Sequence, residues 1–152
     1  AYNAGQPLTD DEFRAARQRW GANRPADYDL KITRAASYAS SDGTGGTTVD
    51  KIDVSVRGGK VTGFLLNGRE PEPLLTLDGR RNIDEERRQR ESYDIDGLFA
   101  AIEEFIEMDR RENRRTFMRA RFDKKDGHVT MFTRQVKGKR VPHVQVEMKK
   151  VN

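Results

Sequence analysis

The stretch Tyr93-Asp94-Ile95-Asp96-Gly97-Leu98-Phe99-Ala100-Ala101-Ile102-Glu103-Glu104-Phe105-Ile106-Glu107-Met108 decides the fold. Ile95, Leu98, Phe99, Ile102, Phe105 and Ile106 recur at helical spacing, which puts one apolar stripe along one side of a helix. Asp94 stands where an N-cap is needed. Its carboxylate can accept from the first unpaired amide groups, and its charge suits the positive helix end. The chain has 152 residues, 34% of them apolar and 36% charged. This is its strongest apolar run, so any sheet must close over it.

A chain of this length is expected to form one domain. No run approaches the roughly 20 apolar residues that span a bilayer, so a membrane-crossing helix is not expected. Cysteine is absent, which excludes disulfides, thiolate metal sites and a cysteine nucleophile together. Charge is unevenly spread. Residues 109–152 hold 14 Lys and Arg against 5 Asp and Glu, while residues 1–108 hold 15 against 20. An acidic front and a basic back suit an anionic partner, self-pairing or simply solvated strand faces.

Residues 1–8 read as a flexible tail. Thr9 is placed to cap a helix, with Glu12 reaching back to it and Leu8 clipping onto Phe13. Phe13, Ala16, Arg17 and Trp20 share one face of that helix, Gly21 ends it, and Pro25 prevents its return. Trp20 is expected to anchor the helix on a sheet. Tyr28, Leu30 and Ile32 then alternate with Asp29, Lys31 and Thr33, the pattern of a half-buried strand. The Gly, Ser and Thr residues of 37–48 read as a long flexible hairpin connection. They lack the Gly-Lys-Ser/Thr ending of a phosphate loop, and no helix follows.

Ile52, Val54 and Val56 alternate again, Gly58-Gly59 turns the chain, and 61–66 returns as a hairpin partner. Residues 69–91, with Pro71, Pro73 and a charged run, read as a partly helical linker. After the central helix, Met118, Ala120 and Phe122 alternate with Arg119, Arg121 and Asp123. Asp126-Gly127 makes a turn, and Lys137-Gly138-Lys139 another. Val144, Val146 and Met148 then alternate with Gln145, Glu147 and Lys149. The expected class is α+β: a tandem helix-plus-three-strand repeat, two helices packed on an antiparallel sheet. One domain spans 9–151, with halves 9–68 and 92–151.

Several of these residues also carry a resemblance. They are Trp20, Pro25 and Tyr28, Val54 and Val56 before Gly59-Lys60-Val61, the run from Tyr93 to Ile102, and Phe122-Asp123 with Gly127. In that order they resemble a family of bacterial extracytoplasmic domains known as domain of unknown function 6174. The resemblance covers 9–151 and implies export, periplasmic or secreted, with no known activity. This chain has Ser37, Ser40 and Ser41 where members often carry cysteines, and His128-Val129 where a Tyr-Pro pair is common.

No catalytic set emerges. His128 and His143 lie on separate strands and read as surface residues, and no serine sits in a nucleophile-elbow pattern. Glu103 and Glu107 share a helix face without a histidine to complete a metal site. The run 123–127 lacks the alternating carboxylates and closing Glu of a calcium loop, so it reads as a turn. No catalytic residue, cofactor or metal is expected. Two binding functions remain. One is a protein-interaction module, an accessory part of a larger assembly, acting through an exposed sheet face. The other takes an anionic polymer or surface through a basic C-terminal sheet face bearing Arg119, Arg121, Arg134, Lys137, Lys139 and Arg140. That second reading gains if Arg119, Arg121 and Arg134 share one face.

The strand register is directly testable. Phe122→Asp should cost about 3 kcal/mol or more in chemical denaturation, whereas Arg121→Glu should stay within about 0.5 kcal/mol of the parent. Equal midpoints for the two variants would mean that the alternation has been read in the wrong phase.

Overall fold

In a computed structural model, residues 7–39, 43, 45–112, 116–136 and 139–151 are described. Along the chain run α1 (Asp10–Asn23), β1 (Tyr28–Ala39), β2 (Gly45–Arg57), β3 (Lys60–Leu66), α2 (Ile83–Glu91), α3 (Ile95–Glu112), β4 (Thr116–Phe122), β5 (Val129–Val136) and β6 (Lys139–Lys150). The six strands form one antiparallel sheet in the order β3-β2-β1-β6-β5-β4. Each half thus supplies a three-stranded meander, and the halves meet where β1 pairs with β6, from Tyr28 opposite Lys150 to Ala35 opposite His143. The expected α+β class holds, with helices packed on one antiparallel sheet; where two helices were expected the described residues form three, α2 lying within the partly helical 69–91 linker.

Alternation decides which face is covered. Tyr28, Leu30 and Ile32 on β1, Ile52, Val54 and Val56 on β2, and Val144 and Val146 on β6 are buried beneath α1 and α3. Against them α1 sets Phe13, Ala16 and Trp20, and α3 sets Ile95, Leu98, Phe99 and Ile102, the stripe seen in its sequence. Phe99 joins the two helices to the second half, meeting Phe13 edge-on at 5.9 Å and stacking on Phe122 at 5.7 Å. Each such fully buried side chain contributes roughly 1.5–3 kcal/mol through apolar area removed from water.

The helix starts are fixed by polar contacts. Thr9 caps α1, its hydroxyl accepting from the Glu12 N–H at 3.2 Å. Asp94 caps α3, its Oδ1 accepting from the Gly97 N–H at 2.6 Å. Trp20 meets Tyr28 edge-to-face at 5.6 Å and donates its indole N–H to Asp96 Oδ1 at 3.2 Å. The Tyr28 hydroxyl accepts from the Ile95 N–H at 3.2 Å. One tryptophan–tyrosine pair therefore ties α1, β1 and the start of α3 together.

The structure departs from expectation at three places. The helix α1 continues past Gly21 to Asn23, two residues short of Pro25. The 37–48 connection is largely strand, since β1 runs to Ala39, β2 starts at Gly45, and their register continues to Ala39 opposite Gly45. Ladder hydrogen bonds from an aligned partner outweigh the weak strand preference of glycine. Residues 1–6 lie outside the described part. Leu8 is no tail residue: its N–H donates to the Met118 carbonyl at 2.6 Å, fastening the entry of α1 to β4.

Gly127, just before β5, sits against α1. A Cβ there would lie 2.2 Å from the Ala16 carbonyl oxygen and 2.9 Å from the Trp20 nitrogen, and φ is +80°. Gly79 has φ +82° with open space around it. Gly79→Ala should therefore cost only the left-handed strain, about 1 kcal/mol, while Gly127→Ala should cost several-fold more because backbone must move. Equal losses in urea denaturation would show that α1 does not rest on this turn.

Candidate binding face

Among the described residues no helix covers the second face of the sheet. Strand register lays its side chains out in rows. One row runs Asp53, Lys31, Glu147 across β2, β1 and β6. The next runs Lys51, Thr33, Gln145, Met131, Arg121 from β2 to β4. A third runs Val49, Ala35, His143, Thr133, Arg119. The first two rows and His143 line a trough of about 700 Å³, which also reaches Thr130 beside Met131. Its long dimension crosses four strand gaps, roughly 19 Å at ordinary strand spacing. That volume lies within the usual range for ligand sites.

Outside the trough several cations find carboxylates, among them Arg57 with Asp29 at 2.9 Å at the end of the open face itself. On the helix side, Arg17 pairs with Glu103, Arg24 with Asp96 at 2.8 Å, Arg34 with Asp50 at 3.2 Å and Arg110 with Asp10 at 3.1 Å. In the trough, Lys31, Lys51, Asp53 and Glu147 make no ion pair among the described residues, and neither does Arg119 beside it. The Arg119 Nε is buried without a hydrogen-bond partner. Unpaired charges of both signs are thus held together on one bare surface.

The six basic residues singled out in the sequence do not come together. Arg119 and Arg121 lie on this open face, paired in register with Thr133 and Met131. Arg134 is on the opposite face. It is buried, pairs with Asp109 at 2.5 Å and lies 4.9 Å from the Phe105 ring centre. The β-bulge between Thr133 and Arg134 breaks the β5–β6 register at this point. Lys137 and the side chains of Lys139 and Arg140 lie outside the described residues. Sequence reasoning missed Lys51, Asp53, His143 and Glu147 as site residues. The outward half of each alternating pattern carried the signal, but only strand order places residues from five strands around one trough.

His128 is not a surface residue. It is buried, its Nδ1 lies 2.5 Å from Asp126 Oδ1, and its backbone N–H donates to the same oxygen at 2.9 Å. The two histidines do not meet across the hairpin, because His143 faces Thr133. Ligand atoms of Asp123, Asp126 and His128 all lie within 4.8 Å of one another. Asp123 Oδ1 already accepts from the Lys125 and Asp126 N–H groups, at 2.8 and 3.0 Å. These amides, with Asp126 the larger influence, hold the Asp123 carboxyl below the usual carboxylate range. Arg19 also donates to the Asp123 carbonyl at 3.4 Å, so a cation already faces this turn. The cluster satisfies itself as a turn.

No family profile, curated protein or solved structure matches the chain. Among the described residues, no helix is long and apolar enough to cross a membrane.

The Asp94 cap titrates in an accessible range. Burial, chiefly, and the neighbouring charges of Asp96 and Glu91 raise its pKa to about 6 against the Gly97 hydrogen bond. Because the folded value exceeds the unfolded one, the folded protein holds this proton more tightly. The resulting stabilisation is complete below about pH 4 and is lost as pH rises through about 6. Asp94→Asn keeps the cap without the charge. Its Tm relative to the parent should therefore climb between pH 4 and 7 and level off above. A difference that stays constant, or shrinks, across that interval would mean that Asp94 is not held in its protonated form.

Proposed function

We infer that this protein is a non-catalytic interaction module that receives a protein partner in the trough on the open face of its sheet. The observation that carries this reading is the set of charges without ion pairs, Lys31, Lys51 and Arg119 against Asp53 and Glu147, gathered at one trough, whereas Arg17, Arg24, Arg34 and Arg110 on the helix side each have a carboxylate partner. Leaving charges unpaired contributes nothing to folding, whereas a patterned surface of both signs orients a partner and rejects wrong ones. A polymer of uniform negative charge would be repelled along the Asp53–Glu147 row. With Arg134 turned to the other face, the basic residues also form no continuous track for it. An extracytoplasmic location is part of the same proposal and rests on the family resemblance alone.

Thr33 and Gln145 point into the trough, so Thr33→Trp with Gln145→Trp should fill it without disturbing the core. The test is affinity capture from native extract with parent and filled variant, washed at low and then high salt. The expected result is one stoichiometric protein that survives high salt with the parent and falls at least tenfold with the variant. The same catch with both proteins would remove the trough from the binding surface. A heterogeneous, anion-rich catch lost at high salt would favour the polymer reading instead.

A further inference from the structure

The seam between β1 and β6 runs down the middle of the open face, with three strands on either side. Four register pairs straddle it there: Asp29 with Lys149, Lys31 with Glu147, Thr33 with Gln145 and Ala35 with His143. Along β1 the charges read minus, then plus. Along β6, at the same heights, they read plus, then minus. Opposite charges in register are ordinary cross-strand neighbours that gain by closing on one another. Here they do not close. Among the described residues the exposed Lys31, Glu147 and Lys149 make no ion pair, and Asp29 turns to Arg57 at 2.9 Å.

This arrangement is its own complement. A twofold axis laid along the seam carries β1 over the β6 of a second copy and leaves each residue at its own height. Lys31 then faces the second copy's Glu147, and Asp29 its Lys149. Thr33 faces its Gln145, both of them trough residues, and every contact occurs twice. In none of the four rows does a charge meet its like. One strand further out, Lys51 comes over Met131, an apolar surface for its methylene stem. Aligned sheets stack about 10 Å apart and cross at about 30°, so the match is closest at the seam. A lysine and a glutamate standing toward each other bridge that gap.

The face is also large enough. The register from Tyr28 to Ala35 along the seam, with six strands across, gives a projected area of about 650 Å². Side-chain relief brings the accessible area toward the roughly 800 Å² per partner of a stable interface. A different protein would need the same alternation of charge at the same heights, which this chain already carries.

We propose that the occupant of the open face is a second copy of this chain, stacked face to face about a twofold axis along the β1–β6 seam. The proposal rests on the open face being the binding face and names what binds there. Covered ion pairs are screened little by salt, so the dimer persists at high salt.

Sedimentation of the full chain at about 0.1 mM is expected to show a dimer. Lys31→Glu and Glu147→Lys each bring like charges together twice, so either variant alone should dissociate at least about tenfold more readily. Mixed in equal amounts, the two should dimerise again, because each supplies the charge that the other lacks. Repair within one chain cannot produce that rescue, which separates it from a purely structural role of these neighbours. If either variant melts below the parent, Lys31→Gln and Glu147→Gln take their place, with the same weakening as the readout. A monomeric parent, a dimer indifferent to the substitutions, or charge-reversed variants that stay monomeric on mixing would each overturn the proposal. A monomeric parent that still captures a different protein, and loses it when the trough is filled, sinks this inference alone. The binding face itself fails only if filling the trough changes nothing.

Discussion

The pairing of β1 with β6 is the constraint from which the rest of the architecture follows. It joins residues more than a hundred positions apart, as in Leu30 opposite Met148 and Ile32 opposite Val146, and makes one sheet from two meanders. Without it each half would leave a three-stranded sheet with an open inner edge, a hazard that native proteins avoid. With it the inner strands become the best-covered part of the sheet, and Tyr28 and Trp20 can hold both helices over the seam. The same pairing sets Lys31 beside Glu147 and Thr33 beside Gln145, so the floor of the trough exists only once the halves have joined.

The two faces of the sheet solve different problems. On the helix face the apolar residues are packed, and Arg34 and the buried Arg134 both have carboxylate partners, while the Nε atoms of Arg19 and Arg134 are buried without hydrogen-bond partners. Arg134 shows the physical logic, since a guanidinium taken out of water needs both a charge and a flat surface and finds them in Asp109 and Phe105. On the open face, Lys31, Lys51, Asp53 and Glu147 keep their charges for water or for something else, while Arg57 and Asp29 pair at 2.9 Å at the end of the same face. That division is why a basic composition in the second half does not translate into one basic surface.

Periodicity made much of the fold legible. The stripe in α3, the alternation in β1, β2 and β6, and the turn at Gly58-Gly59 each follow from local sequence and stand in the structure. What local sequence could not show depends on pairing across distance. Glycines at 45 and 46 read as loop because their role is set by Ala39 and Tyr38 opposite them. Arg134 falls in phase with the buried Phe132 two positions before it, but that a guanidinium can be buried there depends on Asp109 and Phe105, which local sequence does not place beside it. His128 reads as a surface residue because Asp126 and the packing of Gly127 under α1 are contacts of the folded state. The trough was legible as single outward residues, but not as a site.

The central position of β6 also bears on how the chain is made. Synthesis delivers β1, β2 and β3 long before β6, so the inner edge of β1 stays without its neighbour until nearly the whole domain has left the ribosome. During that interval Tyr28, Leu30 and Ile32 lie on a strand whose backbone groups have no partner on one side, in a form prone to wrong pairing. Cooperative folding of the sheet is therefore postponed until β6 has emerged. A chain built this way remains threadable for longer than one whose first strands close on themselves.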